Sequence, residues 1–284
     1  MVTEALPLRP ITRSGPWRGL SGLTGAEVRR WLPWRSLVMT AVGVGVLVLF
    51  FAIWQFAGSQ AEANLRLGML MVPFFSLWAI ALTLVTASAA QGAVAGEVEE
   101  GTAAWLMGMP IGRPAFIVSK VLGAVPGVLA AVFGAGLVAY PVFSYASSVE
   151  IKAFTARDIL ETARNPIGSD GFMELPAMSE YLGLLVRMSL FLLVLVALMV
   201  LLGAIFRSAA MVLGLGVVLA VGLFMVGILD IAGVVDVTPA GLISGLLDAV
   251  QAKSSPLAGP VLTSLLWIVG LTALAVARFQ RRDL

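Results

Sequence analysis

The 284-residue chain contains no cysteine and no histidine. Without them it cannot form disulfides, thiolate or imidazole metal sites, cysteine nucleophiles, or a serine triad that uses a histidine base. Charged residues are scarce, at 12%, against about 25% in soluble domains. Hydrophobic residues make up 60% of the chain. This composition is typical of an integral membrane protein, and it excludes most hydrolytic chemistry.

The sequence also lacks the motifs that bind nucleotides. It has no GxxxxGK[ST] stretch, and no GxGxxG opens a helix after a strand. If ATP drives this protein, another chain must bind it. We therefore expect this chain not to be an enzyme by itself.

Six apolar stretches reach the length of about 20 residues that a transmembrane helix needs. They cover residues 37–57, 67–90, 121–146, 182–205, 209–231 and 256–277. The first is too long for a cleavable signal peptide, and a long polar and basic segment precedes it. The sequence thus predicts an all-α, polytopic membrane protein, with a six-span domain over 37–277 between a cytoplasmic N-terminus, 1–36, and a cytoplasmic C-terminus, 278–284.

The orientation follows from the Lys and Arg residues of the connections, which concentrate on the cytoplasmic side. One side holds Arg9, Arg13, Arg18, Arg29, Arg30, Arg35, Arg113, Lys120, Arg207, Arg278, Arg281 and Arg282. The other side holds Arg66, Lys152, Arg157, Arg164 and Lys253. Both termini, and the connection between the second and third spans, should therefore be cytoplasmic.

Two external segments, 147–181 and 235–255, are long enough to be ordered. In the first we expect a short helix over 156–164, and the segment is either a solvated cap or, less favoured, a substrate-docking surface. In the second, Thr238-Pro239 begins a helix that dips into the outer interface or packs on the ends of the spans.

The N-terminal segment predicts an amphipathic helix that lies in the membrane interface. Thr24 and Glu27 have the spacing of a capping box, and a short helix over 26–32 would follow. Trp17, Leu20, Val28 and Trp31 would face lipid, and Arg29 and Arg30 would face anionic headgroups. The alternative, an unstructured basic tail, fits residues 1–16 better.

The stretch GEVEEGTAAWLMGMPIGRPAFIVSK, residues 96–120, is the most polar part between two apolar runs. Its apolar residues recur at helical spacing and predict a short amphipathic helix over 96–110, with Glu97 and Glu100 in a first turn that favours acids. Pro110 would end this helix, and Pro114 suits the first turn of the next. Lys120 would reach the headgroups. We call residues 96–114 the elbow.

The elbow resembles a motif of the membrane subunits, or permeases, of type-2 ABC exporters. The matching positions, in order, are Glu97, Glu99, Glu100, Gly101, Thr102, the apolar run Trp105-Leu106-Met107, Pro110, Arg113 and Lys120. Val98 and Gly112 depart from the basic residue and the serine that are frequent in that family. This resemblance implies that the elbow is a coupling helix that docks on a separate ATPase.

The same resemblance implies further features of the fold and further partners. It implies six spans, an N-terminal interfacial helix, a dimer with the same or a similar subunit, and two ATPase chains that carry ATP and Mg. It assigns ATPase coupling to Glu97, Glu99, Glu100, Gly101, Thr102, Pro110 and Arg113. Judged by charge alone, Glu99, Glu100 and Arg113 would be solvated charges on a cytoplasmic loop, and it is the match to the motif that favours contact with an ATPase. Gly101 and Thr102 would shape the helix.

Two charges near the outer ends of spans are further candidates. Arg187 lies within the fourth span, where it would contact an anionic substrate, pair with Asp230, or snorkel to the outer interface.

Gly123-x-x-x-Gly127 favours close helix packing in the third span.

The sequence leaves alternatives to the exporter. An ion-gradient-driven carrier or channel usually has acids or broken helices in mid-membrane, which these spans lack. An intramembrane enzyme needs paired acids, a Ser/Lys dyad or a metal cluster within the spans, and none is visible. The sequence does not distinguish the exporter from a non-transporting membrane scaffold, and nothing in it indicates a substrate.

Overall fold

The structure is a computed structural model that describes residues 15–32, 36–58, 67–108, 111–162, 177–229, 233–235, 237–244 and 257–281. For 50–58, 67–73, 107, 145–162 and 228 it describes the backbone alone. The described part contains helices and no strand. The helices are α1 (Leu20–Arg30), α2 (Ser36–Gly58), α3 (Leu67–Gln91), a π-helical segment (Gly92–Gly96), α4 (Glu97–Glu99), α5 (Thr102–Gly108), α6 (Arg113–Thr162), α7 (Met178–Ile205), α8 (Ala209–Ile228) and α9 (Ala258–Gln280). Residues 241–244, shortly after Thr238-Pro239, are helical as well.

Among the described residues, five helical stretches are long and apolar enough to cross a membrane. They are Phe74–Glu99, Arg113–Ser144, Met178–Ile205, Ala209–Gly227 and Ala258–Gln280. This confirms the predicted all-helical class and fits a multi-pass membrane protein. The 23 residues of α2 cover the predicted first span, but the count of six spans stays a prediction.

Helix α7 lies at the centre of the described bundle, and most of its side chains are buried. It packs against α3, α6, α8 and α9. Its Gly203 brings it close to the π-helical segment, since an added Cβ atom would lie 3.0 Å from the backbone nitrogen of Ala95. The small residues of Gly92–Gly96 allow this approach.

Helix α6 is far longer than the predicted third span. It has 50 residues and continues through Pro126 and Pro141, so it is about 75 Å long, more than twice the hydrocarbon thickness. The helix predicted over 156–164 is present in its described part, residues 156–162, but these residues are the C-terminal end of α6 and not a short helix of their own. Residues 163–176 of the external segment lie outside the described residues.

Every fourth residue along one face of α6 is small and buried: Ala115, Ser119, Gly123, Gly127, Ala131, Ala135 and Ala139. Helices α1 and α2 pack against α6, and the close contacts fall on this face. Cβ atoms added at Gly123 and Gly127 would lie 2.2 Å and 2.8 Å from the Cβ atoms of Glu27 and Trp31. This confirms the close packing predicted for the glycine pair, with α1 and α6 running in the same direction.

The described part of the second external segment packs on the C-terminal end of α8. An added Cβ atom at Gly227 would lie 2.6 Å from the Cβ of Ile243. The indole nitrogen of Trp267 in α9 donates to the carbonyl oxygen of Val237 at 2.8 Å. Residues 237–244 thus contact the C-terminal end of α8 and a side chain in the middle part of α9.

Candidate functional site

The elbow is not the single helix that its sequence predicts. The helix of α3 continues through the π-helical segment to Glu99, and the chain then turns at Gly101, whose φ of 74° lies in the left-handed region that favours glycine. Helix α5 begins only after this turn. Glu97 and Glu99 therefore lie at the C-terminal end of a helix, where the helix dipole disfavours acids, so the first-turn stabilisation predicted for Glu97 is wrong.

Basic side chains from other elements offset this unfavourable position. Glu27, Arg30, Glu97 and Lys120 form what we call the charge cluster. The ammonium group of Lys120 donates to Oε1 of Glu27 at 2.6 Å and also to Oε1 of Glu97. The Nη1 atom of Arg30 donates to the same oxygen of Glu97 at 3.0 Å. Two acids and two bases thus meet where α1, the end of α3 and the start of α6 converge.

The charge cluster is largely shielded from solvent. Lys120 is 3% exposed, Glu27 7% and Glu97 9%, whereas Arg30 is exposed on one side. The Lys120 ammonium also lies 4.9 Å from the centre of the Phe116 ring, within reach of a cation–π interaction. The prediction that Lys120 reaches the headgroups is therefore wrong, because two carboxylates hold its ammonium inside the protein.

Helix α1 also differs from its prediction. It begins at Leu20, after Gly19, so Thr24 is inside the helix and the capping box is wrong. The Glu27 carboxylate binds Lys120 instead. Trp31 was expected to face lipid, but it is 1% exposed and packs against Gly127. Trp17 is exposed, as an interfacial residue would be.

Glu99 connects the elbow to α8. Its Oε2 atom accepts a hydrogen bond from the backbone nitrogen of Ala209, the first residue of α8, at 3.1 Å. The first nitrogens of a helix have no partner within the helix, and a negative charge there is favourable. The Glu99 carboxylate thus caps a helix 110 residues further along the chain.

Arg113 connects the elbow to α9. Its Nη1 atom donates to the carbonyl oxygen of Gln280, the last residue of α9, at 2.8 Å. Nearby, the Phe116 and Phe279 rings stack with their centres 5.3 Å apart. A cation at a helix C-terminus satisfies a free carbonyl and matches the helix dipole.

Part of the elbow faces outward, whereas Ala103 is buried. Glu100, Gly101 and Thr102 are exposed, and Trp105 on α5 has 67% of its surface exposed. We call Glu100, Thr102 and Trp105 the outward face. The positive φ of Gly101 supports its predicted role in shaping the turn, whereas Pro110 lies outside the described residues.

Of the two outer candidates, only Arg187 lies in the described part of the chain. Arg187 is 3% exposed and enclosed by protein in α7, which does not favour snorkelling to the interface. Asp230 lies outside the described residues. Among the residues that are described, no group of three metal-ligating side chains could hold a metal ion.

Sequence reasoning found the elbow but missed the charge cluster. Its contacts join residues 93 and 23 positions apart, so no local pattern reveals them. One signal was available: Lys120 directly follows Ser119, within the series of small residues that marks the packed face of α6. A lysine at the border of a packed helix face can be enclosed by neighbouring elements, whereas a lysine in an open loop is exposed to solvent.

Compared with known proteins, the chain matches no family model and no curated protein.

Proposed function

We propose that this chain is the membrane subunit of an ATP-driven exporter of the type-2 ABC class. In this proposal α2 is the first of six spans, both termini are cytoplasmic, and two subunits, the same or similar, form the translocation pathway. Two separate ATPase chains, which carry ATP and Mg, dock on the elbow. The positive-inside pattern supports a plasma membrane, and the Ala-, Gly- and Val-rich composition favours a bacterial one.

The outward face is the observation that carries this proposal. The fold uses Glu97, Glu99 and Arg113 for internal contacts, but Trp105 remains 67% exposed on a short helix between two membrane-crossing helices. Tryptophan is the residue type most enriched among binding hot spots. A partner with an apolar pocket and a basic rim would bury Trp105 and pair with Glu100.

The internal contacts explain how such docking moves the spans. Glu99 binds the start of α8, Arg113 binds the end of α9, and Glu97 belongs to the charge cluster. When the ATPase chains close on ATP, they displace the elbow and with it the helix ends that it holds. The subunit dimer then alternates between states, and this chain makes or breaks no bond.

The alternatives predict different partners or charges. An ion-gradient-driven carrier or channel usually has acids or broken helices in the middle of its spans, whereas Glu97 and Lys120 lie near helix ends and the buried charge of α7, Arg187, is a base. A non-transporting scaffold would use the same outward face for another partner. The identity of the bound protein therefore separates the exporter from the scaffold.

The first test is mass spectrometry of the proteins that co-purify with the chain from its native membrane in mild detergent. The double variant Glu100→Arg, Trp105→Ala changes the acid and the aromatic residue of the outward face. Arg113 is left unchanged, because it holds α9. Glu180→Arg is the matched control, since Glu180 is also an exposed acid but lies at the start of α7.

An ATPase chain at equal stoichiometry should accompany the native chain and the control. Its recovery with the double variant should fall by about tenfold or more, as expected when a hot spot is removed. A different protein that is lost in the same way would favour the scaffold. A chain recovered alone in all three forms would contradict the proposal.

A further inference from the structure

The charge cluster joins three parts of the chain that are remote in the sequence. Helix α1 provides Glu27 and Arg30, the C-terminal end of the α3 helix provides Glu97, and α6 provides Lys120. Glu97 and Lys120 lie at the two ends of the connection that we propose to dock the ATPase. The cluster is therefore placed to link α1 to that connection.

Stability alone is a weak reason for such a cluster. Buried ion pairs are often no more stabilising than well-packed apolar side chains of similar volume. Here the Oε2 atoms of Glu27 and Glu97 are buried and have no hydrogen-bond partner in the described part of the protein. The best-attested use of buried charges is to fix which surfaces pair and in which register.

The packing of the backbone fixes α1 at the same place. The nitrogen of Gly112 donates to the carbonyl oxygen of Arg18 at 3.1 Å. The Glu27 side chain lies directly over Gly123, where an added Cβ atom would clash with it. Helix α1 therefore cannot slide along α6 without breaking the cluster and meeting bulkier side chains.

Helix α1 is also close in sequence to the first predicted span. It ends at Arg30, and α2 begins at Ser36. A displacement of α1 thus has only a few residues in which to be absorbed before it reaches α2. Helix α2 in turn packs along α6 and α3.

We propose that Glu27, Glu97 and Lys120 are positioning residues that make α1 move together with the elbow, so that α1 transmits the displacement of the elbow to α2. Helix α1 is then a working part of the coupling unit and not only an interfacial anchor. This inference rests on the proposed function for the source of the movement. The connection of α1 to the elbow through the charge cluster, which we call the joint, can be tested without it.

The joint is tested by the distance between spin labels on α1 and α5. The chain has no cysteine, so Ser21→Cys and Ala104→Cys, both at exposed positions, provide the only labelling sites. The distance is measured in the full chain, purified with whatever accompanies it, in three backgrounds. These are the native chain, the neutral triple variant Glu27→Gln, Glu97→Gln, Lys120→Met, and the control Glu180→Gln.

A single narrow distance distribution is expected for the native chain and the control. The neutral triple variant leaves no buried charge unpaired, so it should remain folded and monodisperse, but it should lose the narrow peak. A narrow peak that persists in a monodisperse triple variant would overturn the inference. If that variant does not fold, Lys120→Arg, which keeps the charge, must retain the narrow peak for the inference to stand.

A second measurement adds ATP, Mg and vanadate to the complex with its ATPase. Ser179→Cys at the start of α7 is the reference site, paired in turn with the labels on α1 and α5. Both distances should shift in the native chain, whereas in the triple variant only the distance from α5 should shift. A native chain in which the α5 label moves without the α1 label would refute the joint and leave the proposed function intact. If neither label moves although an ATPase is bound, the proposed function fails, and the first measurement alone decides whether the joint exists.

Discussion

The two ends of the helical bundle are held together in different ways. At the elbow end, the charge cluster and two helix-end contacts join elements through directed hydrogen bonds. At the opposite end, aromatic rings fill the interior between α3, α6 and α7. We call this set the aromatic region; it comprises Phe74, Phe75, Trp78, Tyr140, Phe143 and Tyr181.

The aromatic region is packed ring against ring. The centres of the Phe74 and Phe143 rings are 5.2 Å apart, and those of Phe75 and Tyr181 are 6.0 Å apart, both pairs in the edge-to-face arrangement that aromatic pairs favour. In contrast to the charge cluster, its polar contacts are few. The Tyr181 hydroxyl donates to the carbonyl oxygen of Gly136 at 2.6 Å.

This difference assigns different mechanical properties to the two ends. Interlocking rings have many weak contacts and resist deformation in every direction. Charged contacts depend on a few distances and can be exchanged between partners, as Glu97 already shares one oxygen between Lys120 and Arg30. We therefore expect the aromatic end to be the more rigid of the two and the elbow end to be the part that changes its arrangement.

The largest expected effect is at Lys120. Lys120→Met leaves the carboxylates of Glu27 and Glu97 buried beside a single, half-exposed arginine. Removing one partner of a buried ion pair costs about 3–5 kcal/mol. The free energy of unfolding in detergent, followed by tryptophan fluorescence, should fall by about that amount.

Arg281→Met is the matched control, since Arg281 is an exposed base next to the end of α9. It should change the free energy of unfolding by less than about 0.5 kcal/mol. If Lys120→Met had an effect as small as the control, the elbow end would not depend on its charges, and the contrast between the two ends would fail.

A smaller effect is expected where α2 meets the aromatic region. An added Cβ atom at Gly43 would lie 2.5 Å from the indole nitrogen of Trp78 and 2.7 Å from the Cβ of Ala135. Gly43→Val should therefore destabilise the protein by about 1–3 kcal/mol through overpacking. Gly45, two residues further along the same helix, has no atom within 4 Å of an added Cβ.

The Gly45→Val variant carries the same change of side chain and helix propensity, so the difference between the two variants measures the clash alone. Equal thermal unfolding midpoints for the two variants would show that α2 shifts to accommodate the added side chain at residue 43. The aromatic end would then be less rigid than its packing indicates.

The sequence predicted the helices better than it predicted the contacts between them. Long apolar runs show where a helix lies in a membrane protein, and α7 ends at Ile205, where its predicted span ends. The apolar residues Val98, Trp105 and Leu106 keep helical spacing across Gly101. This spacing in the sequence therefore gave no sign that the helix breaks at that glycine. The interior position of Lys120 depends on Glu27, which is too distant in sequence for any local pattern to reveal.

The smallest expected effect is the loss of the Tyr181 hydroxyl. Tyr181→Phe removes its hydrogen bond to Gly136 and keeps the ring, and side-chain hydrogen bonds within membrane proteins contribute on average about 0.6 kcal/mol. Tyr140→Phe, which removes the same group from a half-buried ring whose centre is 4.9 Å away, is the matched control for unfolding in detergent. A loss at Tyr181 as large as that at Lys120 would mean that a polar contact fastens the aromatic end as well. A loss near the expected value would mean that the rings themselves hold that end, and that directed polar contacts contribute most to stability at the elbow end.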